Sequence, residues 1–122
     1  MPKTNEYCDH LMDLLAPLGS PSYRFMFGGY AIYVDGLMVG IVADDVLRLR
    51  ADDGNRPDYE ARGIGPFHPY PEKGMGTMPY YTVPDDVLED QDELLRWAGR
   101  SREAALRNQA KKSRKKRASR GG

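Results

Sequence analysis

Asp35-Gly36 lies between two runs of β-forming residues, and no other feature constrains the chain as much. Tyr30-Ala31-Ile32-Tyr33-Val34 is aromatic and β-branched, and Leu37 to Ala43 is the return run. A two-residue Asp-Gly loop between such runs fits a type I′ hairpin. Asp44-Asp45 makes a second turn, and Val46-Leu47-Arg48-Leu49-Arg50 follows it. There the alternation puts Leu47 and Leu49 on one side and Arg48 and Arg50 on the other. The pattern predicts a three-stranded antiparallel meander with one face for packing.

Periodicity supplies the flanking elements. Residues 5–18 predict an amphipathic helix with Cys8, Leu11, Met12, Leu15 and Leu18 on its stripe, stopped by Gly19-Ser20-Pro21. Tyr23 to Phe27 reads as a short strand that Gly28-Gly29 interrupts. Asp52-Asp53-Gly54-Asn55 is turn chemistry. Asn55 or Arg56 then caps a short helix with Pro57 in its first turn and Gly63 as its terminator. Phe67-His68-Pro69-Tyr70 reads as a brief edge strand, and Met78 to Val83 as a strand that Pro79 confines to an edge or a strand start. Asp90 caps a last helix in which Leu94, Leu95, Ala98 and Ala105 share a face flanked by Trp97; its apolar stripe ends at Asn108-Gln109. Short connections in this order imply an α+β fold, an antiparallel sheet of about five strands with its helices on one face.

The 122 residues suit a single domain, read as an α+β body over residues 1–109 and a basic disordered tail over 110–122. The net charge of zero conceals an asymmetry. Residues 1–99 carry 8 Lys/Arg against 17 Asp/Glu, a net of −9; residues 100–122 carry 10 against one, a net of +9. Such a split implies two pieces with different electrostatic roles, and residues 1–99 are expected to fold without the rest. One cysteine, Cys8, excludes an internal disulfide and suits a reducing compartment. The N-terminus lacks the apolar core of a secretory signal, and Leu37 to Ala43 is far short of the roughly 20 residues that span a bilayer. A cytoplasmic location is expected.

Candidate sites are few. The two adjacent glycines permit a positive φ or a close backbone approach, so Gly28-Gly29 marks either a structural corner of the sheet or the centre of a docking surface with Arg24, Met26, Phe27, Tyr30 and Tyr33. Cys8 and His10, two apart on a helix, point in different directions, and no tight metal-ligand spacing occurs. No catalytic constellation and no cofactor motif is present. The acid pairs at 44–45, 52–53 and 85–86 fall at turns or helix starts, where Asp is locally favoured. The basic run is the strongest signal outside the core. Lys111, Lys112, Arg114, Lys115, Lys116, Arg117 and Arg120 form either a sequence-independent contact to nucleic-acid phosphates or a solvated appendage.

Met26-Phe27-Gly28-Gly29-Tyr30-Ala31-Ile32-Tyr33, with Arg24 before it and Asp35-Gly36 after it, resembles the signature of the N-terminal domain of the TfoX (Sxy) competence regulators. Matches continue in order through Asp52-Asp53, Asn55-Arg56-Pro57, Pro66-Phe67, Met78-Pro79-Tyr80-Tyr81, Val83-Pro84, Val87-Leu88-Glu89-Asp90 and Leu94-Leu95-Arg96-Trp97-Ala98. Ala31 replaces a glycine usual in the family, Arg50 stands where lysine is common, and the residues after 106 do not match the family's second, helical domain. The resemblance implies an α+β fold similar to secretion-chaperone-like folds, which often pair as homodimers; full-length members of the family regulate DNA-uptake genes, and the resemblance implies no reaction or cofactor. The expected function is thus a non-enzymatic binding or regulatory protein whose basic tail touches nucleic acid weakly and non-specifically. The alternative is a dimeric chaperone-like module that binds another protein and has no nucleic-acid role.

Overall fold

The computed structural model describes residues 5–26, 28–69, 73–74 and 76–120, the last six of them by backbone alone. Helix α1 spans Glu6–Leu15, with the Asn5 side chain accepting the Cys8 N–H at 3.1 Å as an N-cap, and a 3-10 turn follows at Ala16–Leu18. Four strands come next: β1 Pro21–Met26, β2 Gly29–Val34, β3 Leu37–Ala43 and β4 Val46–Arg50. After helix α2 (Arg56–Glu60) come β5 (Pro66–Phe67), β6 (Met78–Thr82), helix α3 (Asp85–Leu88) and the long helix α4 (Gln91–Arg120).

The sheet is antiparallel throughout, in the order β1-β2-β3-β4-β6-β5. The α+β antiparallel architecture matches the sequence expectation, with six strands rather than about five. The short strand read from Tyr23 is β1, which pairs with β2 along its full length and extends the three-stranded meander to four strands. Both acidic turns are two-residue loops with left-handed backbone: φ is 52° at Asp35 and 79° at Gly36, then 53° at Asp44 and 60° at Asp45. Asp tolerates this conformation better than most side chains, which is why Asp44-Asp45 serves without a glycine. The β2–β3 register slips between Ile32 and Tyr33, leaving Val39 as an extra, fully buried residue.

One face of the sheet carries the core. Ile32, Val34, Leu47, Leu49 and Tyr81 pack against Cys8, Leu11 and Leu15 of α1, Tyr59 of α2, Val87 of α3, and Leu94, Trp97 and Ala98 of α4. The Tyr59 ring meets Trp97 edge-on at 4.9 Å and Tyr81 at 5.1 Å. All four helices thus contribute to a single layer. Asn55 precedes α2, and its buried side chain secures the loop before the helix by accepting the Asp52 N–H and donating to the Arg50 carbonyl. The α2 chain ends at Gly63 (φ 75°) with paired Ile64 N–H to Tyr59 and Gly63 N–H to Glu60 carbonyl bonds.

The last helix departs most from expectation. Asp90 does cap it, accepting the Asp92 and Glu93 N–H groups. The helix does not stop where its apolar stripe fades at Asn108-Gln109: the backbone stays helical to Arg120. Lys, Arg, Ala and Gln all favour the helix, so local propensity carries it beyond the last turn that packs on the body. The charge boundary near residue 99 is not a structural boundary either. Ser101, Ala104 and Ala105 are buried at 0%, 0% and 7% exposure, within the stretch where the basic surplus begins.

Candidate functional site

The Gly28-Gly29 pair closes the β1–β2 hairpin. Met26 pairs with Gly29, and Gly28 takes φ +84° with open space around it. Gly29 faces the opposite constraint, because a Cβ there would come within 2.3 Å of the Val42 carbonyl oxygen. One glycine supplies a conformation and the other a close approach. Phe27 lies outside the described residues. Of the remaining motif residues, Met26, Gly28, Gly29 and Tyr30 line one groove, whereas Arg24 and Tyr33 do not. Tyr30 turns toward the helices, packing partly on the core and meeting the Tyr23 and Phe25 rings edge-on at 5.6 Å each. Arg24 and Tyr33 take the other face, as the alternation from core-facing Tyr23 and Ile32 requires.

That second face holds an arrangement no single motif announces. Arg24, Ala31, Ile41, Arg48 and Thr82 lie opposite one another in register and form one row across five strands. In the next row Arg50 lies against Tyr80. Arg48 holds its guanidinium 4.1 Å from the Phe67 ring centroid, and Arg50 lies 5.8 Å from the Tyr80 centroid while donating to its hydroxyl at 3.3 Å. The groove that Met26, Gly28, Gly29 and Tyr30 line lies beside this row; it holds about 340 Å³ and is completed among the described residues by Ile41, Val42, Ala43, Phe67, Pro69 and Met78, with Asp44 at its turn end. Arg24, Arg48 and Arg50 are the only charged residues in the six strands. The alternation of Val46 to Arg50 placed Arg48 and Arg50 away from the core, but only strand order brings them level with Arg24.

The acidic turns have a second use beyond turn chemistry. Arg107 of α4 makes a two-pronged ion pair with Asp52, both contacts at 2.7 Å, Arg102 bonds Asp35 at 2.9 Å, and Arg100 pairs with Asp58. On α2's flank Arg62 grips Asp86 and lies 5.3 Å from the Trp97 ring centroid. The Arg107 contact, aided by the Gly54 N–H and opposed by partial burial, lowers the Asp52 carboxyl to about 2. Part of the basic surplus is therefore spent holding α4 on the acidic body. Beyond it, Lys111, Lys112 and Arg114 are exposed and make no ion pair among the described residues, although Lys111 is near enough to Asp52 to help lower its carboxyl. Lys115, Lys116, Arg117 and Arg120 continue the helical backbone.

Cys8 is fully buried, and burial, reinforced by Asp9 and Asp45, pushes its thiol up to about 11. It is therefore a protonated core thiol at neutral pH. His10 is exposed on α1. Among the described residues no three His, Cys, Asp or Glu side chains converge to hold a metal ion, and no helix is long and apolar enough to cross a membrane.

A six-stranded antiparallel sheet, covered by helices on one face and, among the described residues, by no helix on the other, defines a small α+β domain with an elongated C-terminal helix. Within that class the sequence match is specific: the TfoX N-terminal domain model fits residues 13–105, and the chain belongs to that family. A protein of Spirochaeta aurantia described as an uncharacterised 12.7 kDa protein in the trpE 5′ region is 38% identical over 84 residues, 69% of this chain and 67% of that protein. Protein Sxy of Escherichia coli K12 is 30% identical over 106 residues, 86% of this chain but 50% of Sxy. The chain thus spans half the length of Sxy.

Proposed function

We propose that the chain is a non-enzymatic, cytoplasmic regulatory domain of the TfoX N-terminal kind, which contacts nucleic acid through the basic end of α4 without reading sequence. The observation behind this is the division of cations along α4. Arg100, Arg102 and Arg107 are neutralised by body carboxylates, whereas Lys111, Lys112 and Arg114 extend past the last such contact. Cations so placed release counterions from phosphates, and their affinity follows salt rather than base identity. With roughly five phosphates neutralised, log K against log salt on duplex DNA has a slope near −4.5. Fluorescence anisotropy on the full chain and on a chain ending at Asn108 tests the proposal. Loss of binding in the shorter chain is expected; equal binding by both chains would end this role for α4.

A second reading, a dimeric protein-binding module, is favoured by β1. It is an edge strand, and its end carries Phe25 and Met26 exposed at 47% and 38%. Exposed apolar edges invite pairing with another chain. Light scattering would then report a dimer that Phe25→Lys dissociates; a monomer at high concentration excludes self-pairing.

A further inference from the structure

We infer that the open face of the sheet is a binding site for single-stranded nucleic acid, distinct from the basic end of α4. Every other described arginine up to Arg107 has a carboxylate partner: Arg56, Arg62, Arg96, Arg100, Arg102 and Arg107 all do. Arg24, Arg48 and Arg50 have none among the described residues, on a domain whose body carries a strong acidic surplus. Acids are abundant in the sequence, yet none falls in any of the six strands. Three guanidiniums on one face, with no carboxylate partner among the described residues, make that face complementary to an anion.

The spacing narrows the choice of anion. Arg48 and Arg50, two residues apart on one strand, are separated by about 7 Å, and Arg24, three strands away in the same row as Arg48, by about 14 Å. A single small anion does not span these positions, whereas a chain of phosphates does. Between the charges the row is apolar: Ala31 and Ile41 are buried there, and the exposed apolar contribution comes from the adjoining Met26–Phe67–Met78 groove. A duplex keeps its base faces stacked inside and has none to place in such a groove. A single strand offers phosphates to the arginines and a planar base to the groove, the combination used by stacking platforms on open sheets. Arg48 stacks on the Phe67 ring, which orients the guanidinium plane and leaves N–H groups for phosphate. Asp44 at the turn end of the groove repels phosphate, so the backbone runs on the arginine side and a base enters from it.

The test is anisotropy with labelled oligothymidylate, a duplex of equal length and labelled oligoglutamate. The proteins are the full chain, Arg24→Gln with Arg50→Gln, Met26→Glu, and the chain ending at Asn108. Thermal denaturation checks that each variant folds; Arg24 and Met26 are exposed, so changing them leaves the core intact. The expected result is tighter binding of the single strand than of the duplex. The double glutamine variant weakens single-strand binding several-fold and flattens its salt slope by about 1.4, at roughly 0.7 for each lost phosphate. Met26→Glu weakens it too, and the shorter chain retains this component. Unchanged affinity and slope in the glutamine variant overturn the inference. So does single-strand binding that disappears only with the α4 end, which would leave the proposed function standing alone. Absence of single-strand binding at low salt, or preferential binding of oligoglutamate, likewise overturns it.

Discussion

At the residue scale the paired glycines separate two kinds of constraint. Gly28 has room for a side chain but a positive φ, so Gly28→Ala incurs only the left-handed penalty of about 1 kcal/mol. Gly29 lacks room altogether, because the obstructing atom is the backbone carbonyl of Val42 and no rotamer change relieves it. Gly29→Ala is expected to destabilise by about 2–3 kcal/mol, with the loss falling on β2–β3 pairing. Urea denaturation of the two variants distinguishes these roles, and equal midpoints would refute the close-approach account. Cys8 makes a companion case: its buried, elevated thiol should resist a disulfide reagent near pH 8 until the protein unfolds. The sequence marked both positions, since adjacent glycines inside a strand pattern and a cysteine on an apolar helical stripe are local signals. It did not say which glycine was crowded, because Val42 meets Gly29 only once β3 has paired.

At the element scale, hairpins and caps were legible and the ties between elements were not. Asp35-Gly36, Asp44-Asp45 and Asp90 act within a few residues of themselves, so their chemistry is written where it is used. Arg107 and Asp52 are 55 residues apart, and nothing in either neighbourhood announces the pair. The same distance hides the alignment of Arg24 with Arg48, which depends on the order of β1 to β4. The Arg107–Asp52 tie has a pH signature. The folded carboxyl titrates near 2 against an ordinary value of 3.8, so the tie stabilises fully above about pH 4 and is lost as pH falls toward 2. With partly exposed partners its contribution is about 1 kcal/mol. Arg107→Ala should therefore lower the urea midpoint at neutral pH and remove part of the acid sensitivity between about pH 4 and 2. Parallel pH profiles for parent and variant would show that Asp52 gains nothing from Arg107.

At the scale of the whole molecule, composition divides the chain near residue 99 and packing divides it about ten residues later. The charge count is blind to this because α4 carries arginines on both flanks of its buried stripe of small residues, Arg100 and Arg107 on one and Arg102 on the other. The helix buries Ser101, Ala104 and Ala105 against the body while Arg102 and Arg107 reach to Asp35 and Asp52 and Arg100 to Asp58 of α2. Two truncations decide which division is physical. A chain ending at Asn108 keeps every one of these contacts and loses only exposed cations, so its thermal midpoint should stay within a degree or two of the parent's. A chain ending at Gly99 removes the buried alanines and all three ion pairs at once. Each buried methyl contributes about 1 kcal/mol, and with the Asp52 tie the loss reaches several kcal/mol. For a domain of this size that lowers the midpoint by at least about 10 °C, and a marginally stable body would not fold at all. Equal midpoints for the two truncations would mean that residues 1–99 fold by themselves, as the charge division implies. A fall already at Asn108 would mean instead that the basic end of α4 packs on the body, and its role as a free arm for nucleic acid would fail with it.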